Sequence, residues 1–405
     1  MSALCCRHPI TYASAVIYHI HKIAAEIITK SNRENPADAV LREVLRGERN
    51  LFPADKREIT VAVFAYFRWR GWLDSKQPLP AQIQYAREVA KRFAEQPETF
   101  SDAQLAEKSL PDWATDEIDF APDWVRAIQA EPKLWLRAKR GQSGTLAGKL
   151  IGATSRAALP DAVLYQGEQD LFTRPEFHAG EFEIQDIASQ AVGWLCDPKS
   201  SETWWDACAG EGGKLLHLSE LMENKGLIWA SDRAEWRLKN LKRRAARAKV
   251  FNFRSALWDG GAKLPTKTKF DGVLVDAPCS GVGTWQRNPH ARWTTTLQDV
   301  QELAQLQKQI LGNVAASVKP GGKLIYSVCT LTQAETSGVV KTFSEAHGEF
   351  ELLSLPELKF AKDKSRALPP PHGFGATSTS AAAKTIWPQD CGGNVMFIAG
   401  WRRKP

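Results

Sequence analysis

The sequence predicts an α/β protein in which a doubly wound, mostly parallel sheet follows a small α+β unit and an all-α N-terminal domain. From about residue 200 onward, short runs of Val, Leu and Ile alternate with glycine loops and helical stretches, which is the pattern of parallel strands joined by helices. Before residue 131, apolar residues recur instead at helical spacing. We therefore expect three domains, at residues 1–131, 132–198 and 199–405.

The first domain is predicted to be helical from residue 12 to about 130. Four apolar residues of its first helix step by four, three and four positions and therefore share one face: Val16, Ile20, Ile23 and Ile27. Three prolines are expected to open later helices: Pro36, Pro53 and Pro80. A further helix is predicted over 59–73, where aromatic residues lie among arginines; it is either a core helix with a solvated basic edge or a helix that faces RNA.

The elements of the other two domains follow from their apolar runs. In the small α+β unit we expect strands at 134–139 and 163–166, a helix at 144–150 and an exit helix at 187–195. In the sheet domain the expected strands are 203–208, 227–230, 270–275 and 323–328, and the expected helices are 235–248 and 297–318. Residues 361–384 are rich in Lys, Pro, Gly, Ser and Ala, and they are predicted to form a mobile loop.

Composition narrows the class of protein. The net charge of +7 suits a polyanionic partner, although an ordinary soluble protein can carry the same excess. No apolar run approaches the roughly 18 residues of a membrane helix, and residues 1–23 lack the features of a signal peptide. The seven cysteines show no paired spacing. We therefore expect a reduced, cytoplasmic setting, no membrane association and no metal site.

A glycine-rich loop, Asp206 to Lys214, lies between a predicted strand and a predicted helix. Leu215 stands where a dinucleotide fingerprint requires its third glycine, and where a phosphate loop requires Ser or Thr. The remaining interpretation is a loop for a nucleoside without a pyrophosphate, which suits S-adenosylmethionine. Asp232 ends the next strand, where it could bind two ribose hydroxyls or cap the following helix.

Two cysteines lie in motifs that end two strands of the predicted sheet. Cys279 lies in the segment 275–284 and Cys329 in the segment 326–330, so both are expected at the edge that carries the glycine loop. A thiolate that adds to C6 of cytosine makes C5 reactive toward a methyl donor, which is covalent catalysis. The alternative is that each cysteine is a small buried apolar residue.

The same segments carry a resemblance to the Nop/Sun family of RNA cytosine-C5 methyltransferases, including its bacterial small-subunit rRNA branch. The matching motifs are Asp206 to Lys214, Asp276 to Thr284, Arg287 to Pro289, Arg292-Trp293, Tyr326 to Cys329, Leu134 to Arg137 and Gln185 to Gln190. The residues before 132 resemble the NusB-like domain of that branch, chiefly at Arg46 to Asn50. The resemblance implies a Rossmann-like class I methyltransferase fold with RNA-binding domains before it.

The resemblance also implies roles for individual residues. Cys329 corresponds to the nucleophile and Cys279 to the cysteine that helps release the product, whereas DNA cytosine methyltransferases attack from the Pro-Cys motif. Asp276 would hold the amine and ring nitrogen of the cytosine, and Lys214 would lie near the base. The implied cofactor site for S-adenosyl-L-methionine comprises Cys208, Ala209, Gly210, Glu211, Gly212, Gly213, Lys214, Asp232, Arg237 and Asp276.

Several positions depart from the family pattern without removing a catalytic group. Ser255 stands where an acidic residue usually contacts the adenine side of the cofactor, and Asp259 could take its place. The other departures are Glu211 for Pro, Leu215 for Thr, Gln286 for Arg, Val328 for Thr and Asn394-Val395 for Asp-Gly.

Two basic segments are candidates for RNA contacts. The run 233–249 holds eight cations and one acid, and it is either a phosphate-binding surface or a solvated helix face. The set Trp285, Arg287, His290, Arg292 and Trp293 mixes aromatic and basic groups as stacking on unpaired bases requires, although Trp293 could equally belong to the core. We expect a monomer that methylates a flipped or single-stranded cytosine of small-subunit rRNA. The rivals are a tRNA methyltransferase, a non-catalytic assembly factor and a nicotinamide-dependent oxidoreductase.

Overall fold

The computed structural model describes residues 12–48, 50–155, 159–358 and 383–405, with side chains from residue 19 onward. The chain forms two compact units. The first comprises the residues up to 111 together with 125–130 and 285–295, and the second comprises 112–124, 131–284 and 296–405. The predicted division at 131 and 198 stays a prediction. The loop predicted at 361–384 lies outside the described residues, except that 383 and 384 begin a strand.

The first unit is helical, as predicted. Its α-helices are α1 (Tyr12–Lys30), α2 (Ala37–Gly47), α3 (Pro53–Arg68), α4 (Leu79–Glu95) and α5 (Asp102–Ser109). Ile20, Ile23 and Ile27 are buried in one cluster with residues of α2, α3 and α4, which confirms their shared face. The three prolines lie at helix starts, as predicted. Pro36 directly precedes α2, Pro53 is the first residue of α3, and Pro80 is the second residue of α4.

Helix α3 covers an earlier stretch than the predicted 59–73. It begins at Pro53, where the Asp55 side chain accepts a hydrogen bond from the Phe52 N–H at 3.1 Å. It ends at Arg68, and a 3₁₀ turn follows at Arg70–Trp72. The prediction was wrong at this boundary because the first turn of the helix is polar and gives no apolar period.

The second unit begins with the short helix α6 (Ala114–Glu117), and α7 (Pro122–Ala127) crosses from one unit to the other. A four-stranded antiparallel sheet follows, with strand order β2-β3-β1-β4. Its elements are β1 (Leu134–Ala138), α8 (Ser143–Lys149), β2 (Ala153–Ser155), β3 (Ala162–Tyr165), α9 (Pro175–His178) and β4 (Phe182–Ile184). Helix α10 (Ile187–Cys196) leads out of it, and the small α+β unit is thereby confirmed.

The main sheet has eight strands in the order β10-β12-β9-β8-β5-β6-β7, with β11 paired to β12. All pairings among β5 to β9 are parallel, and those of β12 are antiparallel. Its elements are β5 (Thr203–Asp206), α11 (Gly213–Leu221), β6 (Leu227–Asp232), α12 (Glu235–Ala248), β7 (Phe253–Leu257), β8 (Phe270–Asp276), α13 (Leu297–Ala315), β9 (Val318–Val328), α14 (Ser337–Ala346), β10 (Phe350–Leu352), β11 (Ala383–Ile386), α15 (Pro388–Cys391) and β12 (Met396–Arg403).

Both faces of this sheet are covered, so the predicted doubly wound architecture is confirmed. Successive residues of a strand point to opposite faces. Trp204 accordingly joins a core cluster with α10, α11 and α12, while Trp205 joins a second cluster with α13 and α14. Gly272 of β8 lies beside Trp204, and a Cβ at this glycine would stand 2.4 Å from the indole ring. The close contact of strand and indole therefore requires glycine.

Candidate active site

Strand order places the candidate site. The chain runs from β5 outward through β6 and β7, and then returns to the other side of β5 with β8 and β9. The reversal beside β5 is a topological switch point, where sheets of this kind bind ligands beyond the carboxyl ends of their strands. Asp206, Asp232 and Asp276 end three of these strands, and Cys329 directly follows a fourth.

The glycine loop folds closely over the ends of β5 and β6. The N–H of Ala209 donates to the Ser231 carbonyl at 2.8 Å, and the N–H of Gly210 donates to Oδ2 of Asp232 at 3.0 Å. Gly212 has φ of +85°, and a Cβ there would lie 2.8 Å from Cγ of Leu241. A residue with a side chain at position 212 would therefore have an unfavourable backbone conformation, and its Cβ would also clash with Leu241 of α12.

Asp232 is buried and does cap the next turn, because its Oδ1 accepts from the Ala234 N–H at 2.8 Å. The guanidinium of Arg237 lies 3.7 Å from Oδ2 of Asp232. Glu211 accepts a hydrogen bond from Nδ2 of Asn240 at 3.2 Å. Burial raises the pKa of the Cys208 thiol. The structure thus brings the predicted cofactor residues together, although ribose binding by Asp232 stays a prediction.

The two cysteine sulfurs lie 3.4 Å apart. Strands β8 and β9 run in parallel with Asp276 opposite Ser327, so both chains leave the sheet at the same level. The N–H of Gly283 then donates to the Cys329 carbonyl at 3.0 Å, which ties the two loops together. The hydrogen bond with Cys329, followed by burial, raises the pKa of Cys279 well above its ordinary value.

An ion pair lies beside the cysteines. Nζ of Lys214 is 2.6 Å from Oδ2 of Asp276, and the Ser327 hydroxyl donates to Oδ1 of Asp276 at 2.8 Å. Burial alone would lower the pKa of Lys214, but the attraction and hydrogen bond of Asp276, with a further contribution from Cys329, raise it overall. The four predicted catalytic residues therefore form one cluster.

Asp206 was not predicted as a site residue. It is fully buried at the end of β5, and among the described residues its carboxylate oxygens have no side-chain hydrogen-bond partner. Burial, followed by repulsion from Asp276, raises its pKa to about 7, while a backbone contact from Leu215 opposes the rise. Nothing in the sequence distinguishes it from other strand-end aspartates, because only the fold shows its burial.

The loop and its surroundings fit a cationic nucleoside cofactor. A Cβ added at Gly210 or Gly213 would meet no atom within 4 Å, so both present bare backbone to open space. Helix α11 begins at Gly213, and the buried carboxylate of Asp206 lies at the start of the same loop. Ser255 lies on β7 and Asp259 just beyond it, where the Asp259 carboxylate accepts from the Gly261 N–H at 2.9 Å. Their contact with adenine stays a prediction.

The predicted basic run lies almost wholly on α12, and its cations fall into two groups. Arg244 and Arg247 are both paired with the buried carboxylate of Glu183 on β4, at 2.9 and 2.5 Å. Lys242 and Arg243 point to solvent. The remaining exposed residues of this helix and its ends are Arg233, Glu235, Trp236, Lys239, Ala246 and Lys249.

The aromatic and basic set after Cys279 is mostly buried in the first unit. Trp285, His290 and Arg292 are at most 3% exposed, so the prediction that they stack on bases was wrong. Arg292 donates to the Ile128 carbonyl at 3.0 Å, and Nε1 of Trp293 donates to the Phe67 carbonyl at 2.6 Å. These side chains hold the segment 285–295 among the helices of that unit.

Among the described residues, no helix is long and apolar enough to cross a membrane. The same residues contain no group of three or more His, Cys, Asp or Glu side chains that could hold a metal ion.

Comparisons with known proteins relate this arrangement to rRNA methyltransferases. A family model described as 16S rRNA methyltransferase RsmB/F matches residues 193–402. A protein of Synechocystis named "Probable ribosomal RNA small subunit methyltransferase B" is 33% identical over 289 residues, which are 66% of this chain and 63% of that protein. The chain spans less than two thirds of the length of the first curated relatives it matches.

Two solved structures share the fold. The crystal structure of the protein PH0851 has a TM-score of 0.73 at 22% identity and covers 96% of this chain and 98% of its own. The structure of NSun6 from Pyrococcus horikoshii with SFG has a TM-score of 0.61 at 20% identity and covers 73% of this chain and 99% of its own.

Proposed function

The chain belongs to the 16S rRNA methyltransferase RsmB/F family, and we propose that it transfers the methyl group of S-adenosyl-L-methionine to C5 of a cytosine in small-subunit rRNA. The observation that carries this proposal is the pair of cysteine sulfurs 3.4 Å apart at the switch point of the sheet. A single thiol would suffice for addition to the base, whereas a second thiol beside it supplies a group for the later proton transfer.

The cofactor is proposed to lie over the glycine loop. Gly210 and Gly213 would allow its close approach, Asp232 would receive the ribose hydroxyls, and Asp206 would complement its positive charge. Support comes from NSun6, which shares the fold and was solved with SFG, an analogue of S-adenosylmethionine. When bound there, S-adenosylmethionine supplies an electrophilic methyl group.

Cys329 is proposed to begin the reaction by adding its thiolate to C6 of the cytosine. The bond between Sγ and C6 forms, and electron density moves to C5, which then accepts the methyl group. The pKa of Cys279 is raised well above its ordinary value, which favours its thiol form. Its S–H can therefore donate a hydrogen bond to the attacking thiolate.

Cys279 is proposed to act once Cys329 is bonded to the base. The largest cause of its raised pKa is the hydrogen bond with Cys329, and that bond is lost when the thiolate becomes a thioether. Cys279 can then release its proton to solvent and accept the proton from C5. As that C–H bond breaks, the Sγ–C6 bond also breaks and its electron pair returns to Cys329.

Asp276 and Lys214 are proposed to orient the base. Asp276 is held from one side by Lys214 and from the other by the Ser327 hydroxyl, so its carboxylate has a fixed direction. From this position it would hold the amine and ring nitrogen of cytosine. Lys214 supplies positive charge near the Cys329 sulfur.

The outer face of α12 is proposed to contact RNA phosphates. We define this face by its exposed cations: Lys239, Lys242, Arg243 and Lys249. One of them, Lys239, is paired with Glu235 at 3.2 Å. Cations that point to solvent can neutralise phosphates, whereas Arg244 and Arg247 share an ion pair with the buried carboxylate of Glu183 and are held away from solvent. The name of the family and of the Synechocystis relative favours small-subunit rRNA over tRNA as the partner.

A denaturing gel can test the mechanism with a cysteine series. We expect Cys329→Ala to lose methyl transfer, and Cys279→Ala to accumulate a slow-migrating covalent adduct with methylated small-subunit rRNA. The double variant should lose the adduct, because the adduct requires Cys329. Parallel incubation with tRNA, followed by bisulfite sequencing, identifies the substrate.

The opposite pattern, with an adduct in Cys329→Ala and none in Cys279→Ala, would exchange the roles of the two cysteines. Full activity of Cys329→Ala without an adduct in any variant would refute covalent catalysis. Methylation of tRNA alone would refute the proposed substrate and leave the mechanism intact.

A further inference from the structure

Glu335 carries a fully buried carboxylate between the two loops that hold the cysteines. Its Oε1 accepts from the Ser280 N–H and from Nε2 of Gln307, each at 2.9 Å. Its Oε2 accepts from the hydroxyls of Ser280, Thr330 and Thr332 at 2.5, 3.1 and 2.7 Å. An ionised carboxylate is an acceptor only, so a set of five donors matches it and offsets the cost of its burial.

This network holds Cys279 from both sides along the chain. Ser280, which follows the cysteine, is bonded to Glu335 through its backbone and its hydroxyl. Pro278, which precedes it, accepts at its carbonyl from Nε2 of Gln307 at 2.9 Å, and the same nitrogen is held by Glu335. The loop has no strand pairing at this point, so its position depends on these bonds.

Cys329 is held by other means. It directly follows β9, whose last residue Val328 pairs with Phe397 of β12. Its own carbonyl accepts from the Gly283 N–H at 3.0 Å. Thr330 does bond to Glu335, but the backbone contacts of Cys329 do not involve that carboxylate. Loss of the carboxylate should therefore displace Cys279 more than Cys329.

We propose that Glu335 is a positioning residue that places the sulfur of Cys279 for the release step, while the attack by Cys329 depends on it much less. The inference rests on the proposed function, because it assigns Glu335 to one of the two steps proposed there. It predicts that a Glu335 variant behaves as a weaker form of Cys279→Ala, and not as a form of Cys329→Ala.

Glu335→Gln keeps the size of the side chain and is the variant of choice. Its amide oxygen can still accept from the Ser280 N–H and from Gln307. Its NH₂ group cannot accept hydrogen bonds, so the three hydroxyls that donate to Glu335 must rotate away from it. We expect the fraction of protein trapped as an RNA adduct to rise by at least about tenfold, which corresponds to one lost charge-assisted hydrogen bond. The rate of methyl transfer in a single turnover should stay within about twofold of wild type.

Two further variants make the result decisive. Ser280→Ala removes one donor and leaves the carboxylate in place, so the adduct should rise in the same direction by a smaller factor. Glu220→Gln is the matched control, because Glu220 is a largely buried glutamate whose partners are Arg137 and the Arg140 N–H, which belong to neither cysteine loop. It should lower the melting temperature without changing the adduct fraction.

The outcomes separate the inference from the function on which it rests. If Cys279→Ala traps an adduct but Glu335→Gln and Ser280→Ala do not, Glu335 is structural only and the inference is overturned. The same holds if Glu335→Gln slows attack and release equally. If Cys279→Ala itself gives no adduct, the proposed mechanism fails first and the inference falls with it.

Discussion

Replacement of Asp206 by Asn should change the pH dependence of stability in a defined direction. The folded-state pKa of Asp206 is about 7, raised from an ordinary value of 3.8. A raised carboxyl pKa contributes stability that is fully present below the ordinary value and is lost as pH rises through the folded value. The wild-type protein should therefore lose stability between pH 5 and 8 through this residue, and Asp206→Asn should not.

The size of the effect follows from the two pKa values. Each pKa unit corresponds to about 1.4 kcal/mol, and Asp206 traverses about two units between pH 5 and its folded pKa of about 7. The variant should therefore gain about 3 kcal/mol relative to wild type between pH 5 and pH 8. The buried amide has its own cost, but that cost does not depend on pH and cancels in the difference.

Urea unfolding of both proteins at pH 5, 6, 7 and 8 measures this difference, because all other titrating groups are common to the pair. Asp116→Asn provides the control, since it makes the same chemical change at an exposed position. The carboxyl carbon of Asp206 can also be titrated by NMR, with the variant identifying its signal. A difference that is constant within about 0.5 kcal/mol would refute the assignment of a high pKa to this carboxylate.

Three further predictions concern the cofactor, the RNA surface and the ion pair. Calorimetry should detect binding of S-adenosylmethionine and none of NAD; the reverse result would contradict the interpretation of the glycine loop. Joint replacement of Lys242 and Arg243 by Ala should reduce the slope of log affinity for RNA against log salt by about 1.5. Arg244 is paired with a buried glutamate, so Arg244→Ala should destabilise the protein and leave this slope unchanged. Equal slopes in the wild type and both variants would mean that α12 is a solvated face. Lys214→Met should lower the free energy of unfolding by about 2 kcal/mol, a loss kept small because Asp276 is partly exposed to solvent. Adding Asp276→Asn to this variant should restore part of the loss. Thermal unfolding of the single and double variants measures both effects.

The sheet and the cysteine pair could be predicted because their signals are local. Apolar runs followed by glycine or polar residues mark strand ends, and parallel strands bring such ends to one edge. Helix α12 was predicted at its observed bounds, Glu235–Ala248, because its apolar residues keep a helical period and a polar residue opens it. Cys279 and Cys329 are neighbours for the same reason, since both lie within three residues of the ends of two paired parallel strands, β8 and β9.

Glu335 and Asp206 could not be predicted, because their roles depend on how the folded chain surrounds their carboxylates. Glu335 gathers donors from residues 280, 307, 330 and 332, and only the folded chain brings these together. Asp206 is distinctive for its burial, since strand-end aspartates are ordinary and its pKa is raised first by burial and then by repulsion from Asp276. Neither condition leaves a pattern in the sequence.

The burial of Trp285 and Arg292 has the same origin. Arginine and tryptophan suit RNA stacking, but they equally suit a core in which main-chain carbonyls accept from them. The carbonyl that receives Arg292 belongs to Ile128, more than 160 residues away in the chain. Composition alone therefore does not separate an RNA-binding surface from an internal contact of this kind.

On α12, by contrast, the sequence does contain the signal that sorts the cations. Leu238, Leu241, Ala245 and Ala248 are the buried residues of this helix, spaced by three or four positions, so they define its inner face. Positions 242 and 243 then lie on the outer face, while 244 and 247 flank the inner one and can reach other elements. Only the identity of their partner, Glu183 on β4, requires the fold. The cations of a basic helix should therefore be sorted by helix face before they are assigned to RNA binding. On α12, the two cations that flank the core form ion pairs with a buried carboxylate. Only the cations that remain in solvent can release counterions from a phosphate backbone.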